Sequence, residues 1–117
     1  MENAADSQQP ALQALNSLFL EWTGHLPLTL EAIPLAGSDR RYYRLRGTGR
    51  SAIGVYSQDQ LENRAFLAFS RHFRSKAVPV PEIFVENQSQ TAYLQQDFGD
   101  MSLLQKLDEL RKSQTGP

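Results

Sequence analysis

The chain has 117 residues, 12 Lys and Arg against 13 Asp and Glu, a formal net charge of -1 and no cysteine. This balance provides no basic field for nucleic acid or an anionic membrane, and without cysteine there is neither a disulfide framework nor a cysteine zinc site. Hydrophobic residues make up 40%, as in a single globular domain. There is no secretion signal and no apolar run of about 20 residues, so we expect a cytoplasmic protein that binds neither nucleic acid nor membranes.

The N-terminal part predicts a disordered tail followed by one helix. Residues 1–9 are polar, and Pro10 suits the first turn of a helix over residues 10–23. Apolar residues recur there at the three- and four-residue spacing of an amphipathic helix: Leu12, Leu15, Leu18, Phe19 and Trp22. Gly24 is expected to end this helix.

Three short strands should follow as an antiparallel meander over residues 28–35, 42–46 and 51–56. The turns between them are Gly37-Ser38-Asp39 and Gly47-Thr48-Gly49. Strand periodicity places Tyr43 and Leu45 on one face of the sheet. Tyr42, Arg44 and Arg46 then lie on the opposite face.

A long helix and two more strands complete the predicted sheet. The helix should cover residues 59–76, capped by Ser57 or Asp59. Its apolar stripe is formed by Leu61, Ala65, Phe66, Phe69 and Phe73. Strands are expected at residues 83–85 and 92–95. Ser102 should cap a last helix, whose apolar stripe is formed by Leu103, Leu104, Leu107 and Leu110. Residues 113–117 read as a frayed tail.

This order of elements resembles the N-terminal lobe of a kinase. More narrowly, it is similar to the aminoglycoside phosphotransferase and choline-kinase-like family, closest to the branch acting on amino sugars such as N-acetylmuramate. The resemblance is carried by GSDRRYYR at residues 37–44, Glu62, VPVPEI at residues 78–83 and YLQQDFGD at residues 93–100. It implies an α+β fold over residues 10–112, with a five-stranded antiparallel sheet, a long helix between strands three and four, and N- and C-terminal helices.

The resemblance also implies a site for ATP with Mg²⁺. The turn of Gly37, Ser38, Asp39, Arg40 and Arg41 would cover the phosphates, and Glu62 would be the helix carboxylate that pairs with a strand lysine in kinases. Gln96 and Phe98 would lie in the hinge beside the adenine. The apolar lining would come from Ile33, Leu35, Ala52 and Leu94. The alternatives are a plain hairpin tip with solvated arginines, a solvated Glu62, and lining residues that are simply core.

The third strand departs from the kinase pattern. Residues 51–63 contain no lysine or arginine, and aligning Ala52-Ile53-Gly54 on the usual Ala-Ile-Lys puts glycine at the lysine position. A frame shifted by two puts Tyr56 there. Arg40, Arg41 and Arg44 on the neighbouring strand are the candidates to replace the missing cation.

Phosphoryl transfer also needs an aspartate that positions the acceptor and ligands for Mg²⁺. In the resembled family these come from a second, mostly helical lobe, and no H-x-D loop occurs here. We therefore expect no catalytic or metal-binding residues in this chain. The first hypothesis is an ATP-binding lobe of a small-molecule kinase, inactive alone, with nucleotide and the second lobe as partners. The alternative is a non-catalytic interaction module that docks a partner protein through the leucines of the last helix.

Overall fold

The fold is an α+β arrangement built on one five-stranded sheet. The computed structural model describes residues 4–35, 40–75, 80–99, 101–102, 104–106 and 108–109. Its elements are α1 (Ala4–Thr23), β1 (Thr29–Ile33), β2 (Arg41–Gly47), β3 (Arg50–Tyr56), α2 (Gln60–Ser75), β4 (Ile83–Glu86) and β5 (Ala92–Gln95). Residues 101–102, 104–106 and 108–109 are also helical and are called the C-terminal segment below.

The sheet has the strand order β1-β2-β3-β5-β4, and every neighbouring pair is antiparallel. Helix α2 connects β3 to β4. The predicted α+β fold with a five-stranded antiparallel sheet, and with its long helix between the third and fourth strands, is therefore confirmed. The β2–β3 turn contains Gly49 at φ 71°, a conformation that glycine adopts without steric cost.

The α1 face of the sheet is the side that packs against α1. Its buried strand residues are Tyr43, Leu45, Ala52, Ala92 and Leu94, and they contact Ala11, Leu15, Leu18 and Phe19 of the helix. Trp22 stacks on Phe84 of β4 with ring centroids 4.4 Å apart. Helix α1 ends at Thr23. The next residue, Gly24, has φ 85°, and its N–H donates to the Leu20 carbonyl at 2.7 Å, which confirms the predicted stop.

The α2 face is the opposite side of the sheet, against α2 and the C-terminal segment. Its buried apolar residues are Ile33, Tyr42, Ile53, Val55, Phe66, Leu67, Tyr93 and Leu104. The alternation predicted for β2 is confirmed, because Tyr42 and Tyr43 belong to opposite clusters.

Three helix predictions need correction. Helix α1 begins at Ala4, so residues 4–9, which we expected to be disordered, are helical, and Pro10 lies inside the helix.

The predicted stripe of α2 is rotated: Leu61 is 75% exposed and Ala65 is exposed. The buried face instead runs through Asn63, Phe66, Leu67 and Ser70. Ser102 lies within the helical residues instead of preceding them, since Met101 is already helical.

None of the helices in the described part of the chain combines the length and apolar character that crossing a bilayer requires.

Candidate functional site

A buried ionic cluster joins the start of β2, the first turn of α2 and the C-terminal segment. Arg40 forms ion pairs with Glu62 through Nη2 and with Asp108 through Nη1, the latter at 3.2 Å. The Tyr42 hydroxyl donates to the same Asp108 Oδ1 at 2.6 Å. The side chains of Arg40 and Asp108 are 2% and 0% exposed, and that of Glu62 is 17% exposed. We call these four residues the Arg40 cluster.

Local sequence explains how the first two elements bring their charges together. Arg40 directly precedes β2, and the alternation of the strand puts it on the same side as Tyr42 and Arg44. Asp59 caps α2, because its Oδ1 accepts the Glu62 N–H at 3.0 Å. Glu62 therefore stands in the first turn, where a carboxylate interacts favourably with the helix dipole.

Burial gives this cluster chemical consequences. Charges removed from water interact more strongly than at the surface, but their desolvation offsets most of the gain in stability. A guanidinium offers a planar fork of donors that matches carboxylates and phosphates. The Arg40 guanidinium is thus held in a fixed position from which it can bind anions, and its donors contact the carboxylates of Glu62 and Asp108.

A second ion pair fixes the connector after β5. Arg44 donates to Asp97 through Nε at 2.7 Å and Nη2 at 3.3 Å. Asp97 also accepts the Gly99 N–H at 2.8 Å. Burial raises the pKa of Asp97, but the hydrogen bonds from Arg44 and Gly99 outweigh it and hold this pKa below its usual value. The hydrogen bond to Asp97 in turn raises the pKa of Arg44.

The predicted phosphate turn is divided by the structure. Gly37, Ser38 and Asp39 lie outside the described residues. Arg40 is buried in the cluster, not solvated at a hairpin tip. Arg41 is exposed, and the alternation of β2 puts its side chain on the other side of the sheet from Arg40.

The predicted apolar lining is split between the two faces. Ile33 and Leu35 belong to the cluster on the α2 face, whereas Ala52 and Leu94 pack against α1. The structure therefore does not bring Ala52 together with Glu62. It is Ile53 and Val55 of β3 that point toward α2, and neither carries a charge.

The predicted hinge is only partly open to a ligand. The Gln96 N–H donates to the Glu82 carbonyl at 2.8 Å, and Gln96 Oε1 accepts the Glu82 N–H at 3.2 Å. These bonds occupy the backbone N–H and the side-chain oxygen of Gln96, directly after β5. Phe98 is 43% exposed and lies within the connector that Arg44 fixes.

The leucine stripe proposed for docking has one member that the structure describes. Leu103, Leu107 and Leu110 lie outside the described residues. Leu104 is 6% exposed and packs into the core of the α2 face. This leucine contacts the chain itself and does not provide a surface for a partner.

Two surface cavities lined by described residues lie away from the Arg40 cluster. One of about 730 Å³ is lined by Leu18 and Glu21 of α1 and by residues 86–89. Another of about 590 Å³ is lined by Phe19, Leu28 and Arg50, among others. Neither includes a member of the Arg40 cluster. Within the described residues, no group of three or more His, Cys, Asp and Glu side chains is placed to hold a metal ion.

Comparisons with protein-family models, curated proteins and solved structures find no match for this chain.

Sequence reasoning missed two residues of the cluster, Tyr42 and Asp108. Asp108 is 68 positions from Arg40 along the chain, so no local pattern links them. One signal was available: an aspartate on the leucine-rich last helix, four residues after Leu104, lies on the same helical face as that leucine.

Proposed function

We propose that this chain is the nucleotide-binding lobe of an ATP-dependent phosphotransferase that acts on a small molecule, with a sugar hydroxyl as the expected acceptor. In this proposal the lobe binds the phosphates of Mg-ATP and is inactive alone. The observation that carries the proposal is the ion pair between Arg40 and Glu62. It joins the sheet to the first turn of the helix between the third and fourth strands.

Kinases hold the α- and β-phosphates with a cation that a helix glutamate keeps in position. The third strand of this chain has no cation facing α2, because Ile53 and Val55 occupy that side. Arg40 supplies a cation from the adjacent strand, and Glu62 supplies the helix carboxylate. This pairing supports assigning the phosphate-binding role to Arg40 and not to Arg41 or Arg44, since Arg41 faces away and Arg44 pairs with Asp97.

The ligand chemistry agrees with the residues present. A guanidinium binds phosphate oxygens bidentately, and in a partly dry site such charge-assisted bonds are stronger than in water. ATP would supply the transferred phosphoryl group and Mg²⁺ would neutralise its charge. We assign no Mg²⁺ ligands to the described residues, because none of them form a suitable cluster.

The test measures Mg-ATP binding by calorimetry and by thermal unfolding. Wild-type protein should be stabilised by Mg-ATP through mass action. Arg40→Gln should weaken binding about 10- to 150-fold, since a hydrogen bond to a charged group contributes about 1.5–3 kcal/mol. Arg41→Gln is the matched control, because it removes the same charge from the adjacent, outward-facing position, and it should bind like wild type.

Two results would contradict the proposal: no binding by the wild-type chain, or equal losses in the two arginine variants. If Arg40→Gln does not fold, Arg40→Lys replaces it. Lysine keeps the charge but loses the planar fork, so it should weaken Mg-ATP binding by a smaller factor while Arg41→Lys has no effect.

A further inference from the structure

Asp108 occupies the position at Arg40 that a phosphate group would need. Its Oδ1 is 3.2 Å from Arg40 Nη1 and accepts the Tyr42 hydroxyl at 2.6 Å. We propose that the C-terminal segment is an internal competitor for the nucleotide, and that Asp108 holds Arg40 in a closed state until the segment is displaced. This inference rests on the proposed function, because it concerns regulation of the same site.

Charge makes the two states different. Arg40 is paired with the carboxylates of Glu62 and Asp108, so the negative charge of Asp108 opposes an approaching polyphosphate. When Asp108 leaves, one carboxylate no longer competes for the guanidinium, and a phosphate gains attraction to it. The carboxylate of Asp108 and the phosphate therefore exclude one another at Arg40.

The segment is held by more than Asp108. Leu104 is 6% exposed in the core of the α2 face, and Met101 Sδ lies 4.0 Å from Arg44 Nη2. Opening exposes this leucine and removes the Tyr42 bond, so the closed state is favoured without ligand. A nucleotide that binds only the open state has its apparent affinity reduced by the open fraction.

The experiment compares Asp108→Asn with Glu109→Gln in the whole chain. Both variants remove one carboxylate charge from the same segment and keep the side-chain size. The Asp108 side chain is 0% exposed and pairs with Arg40, whereas Glu109 is exposed. Asp108→Asn should tighten Mg-ATP binding roughly tenfold, within the usual range for coupled equilibria. Inorganic tripolyphosphate should show the same gain, since it carries only the phosphates. Glu109→Gln should bind both ligands like wild type.

Hydrogen exchange gives a second measurement. Saturating Mg-ATP should increase amide exchange in the C-terminal segment of the wild-type chain, because bound nucleotide displaces it. An unchanged exchange rate in the nucleotide-bound protein would overturn the competition. If Asp108→Asn does not fold, Tyr42→Phe removes only the hydroxyl that holds Asp108 and should tighten binding by a smaller factor.

The outcomes separate the two proposals. If wild type binds Mg-ATP and Asp108→Asn binds no more tightly, the competition is wrong and the nucleotide site stands. Equal tightening in Asp108→Asn and Glu109→Gln would indicate a general charge effect and would also overturn it. If no variant binds and wild type does not bind, the nucleotide site itself is wrong.

Discussion

The two faces of the sheet are made by the same strands yet differ in what they bury. On the α1 face, Leu45, Ala52 and Leu94 meet Leu15 and Phe19, and every one of these side chains is apolar. The α2 face also buries apolar side chains, but a charged group, the Arg40 cluster, lies at its end beside α2.

This difference assigns separate tasks to the faces. Burial of apolar area stabilises the α1 face at about 25 cal/mol per Å². Buried ion pairs contribute little net stability, since desolvation offsets their attraction. Apolar packing on both faces therefore stabilises the fold, and the α2 face in addition keeps Arg40 and Asp108 out of water, and Glu62 partly so, at a cost in stability. That cost favours a functional explanation for the cluster.

The largest expected effect breaks the charge balance of the α2 face. Arg40→Leu removes the cation that pairs with the buried carboxylate of Asp108 and the partly buried carboxylate of Glu62, and it should lower the free energy of unfolding by about 3–5 kcal/mol. Urea denaturation at neutral pH measures it. Replacing all three charges together, as Arg40→Met with Glu62→Leu and Asp108→Leu, should restore stability to near the wild-type value or above it.

A triple variant as unstable as Arg40→Leu would show that the charges themselves stabilise the fold. The α2 face would then need no function to explain it.

A smaller effect probes the tight packing of the α1 face. A Cβ added at Gly54 would lie 2.7 Å from Leu45 Cδ1 and 2.9 Å from Leu15 Cδ2, both in fully buried side chains. Gly54→Ala should therefore lower the free energy of unfolding by about 1–3 kcal/mol through overpacking. Ser51→Ala, at an exposed position of the same strand, is the control and should change stability little.

Adding Leu45→Val to Gly54→Ala should recover part of the lost stability, because it removes the closest obstructing atom. No recovery in the double variant would show that the cost of Gly54→Ala does not come from this contact.

The sequence predicts the strands well because their signals are local. Period-two alternation and the turn glycines predict the strands of the meander, and the polar turn at residues 87–90 separates the last two. The separation of Tyr42 from Tyr43 follows from the pleat. The helices are less predictable from apolar residues alone. Residues 4–9 carry no apolar period, but helix elongation adds one hydrogen bond per residue and does not require an apolar pattern.

Apolar periodicity does not predict the buried face of α2, because two residues of that face, Asn63 and Ser70, are polar. Asn63 is fully buried while its Nδ2 donates to the carbonyls of Ser57 and Gln90 at 2.9 and 2.8 Å. An apolar stripe therefore points to the wrong side of the helix. Satisfying both of those loop carbonyls with one side chain requires the tertiary structure, which no window of sequence contains.

The candidate site was predictable in part. The resemblance indicates Glu62 as one partner and the arginines of the second strand as candidates for the other. It does not choose among Arg40, Arg41 and Arg44, because two adjacent arginines after a turn look equally solvated. The choice depends on strand alternation at Arg40 and on Asp108, which only the fold brings to the same place.

The smallest expected effect tests whether the ion pair at the connector behaves like the Arg40 cluster. Arg44 and Asp97 have side chains 19% and 10% exposed, so solvent screens them more than it screens Arg40. The pKa of Asp97 is held below its ordinary value in the folded state. Its ionised form therefore stabilises the fold above about pH 4, and this contribution is lost as the pH falls through the lowered folded value.

Asp97→Asn should thus reduce the free energy of unfolding at pH 7 by about 1 kcal/mol or less, and the difference from wild type should shrink toward pH 3. Urea denaturation at both pH values measures it. Glu86→Gln, which removes a more exposed pair with Arg71, is the control and should have a smaller effect at pH 7. A loss of stability in Asp97→Asn that stays constant from pH 7 to pH 3 would mean that it does not depend on the charge of Asp97. The hydrogen bond from the Gly99 N–H would then contribute more than the ion pair with Arg44.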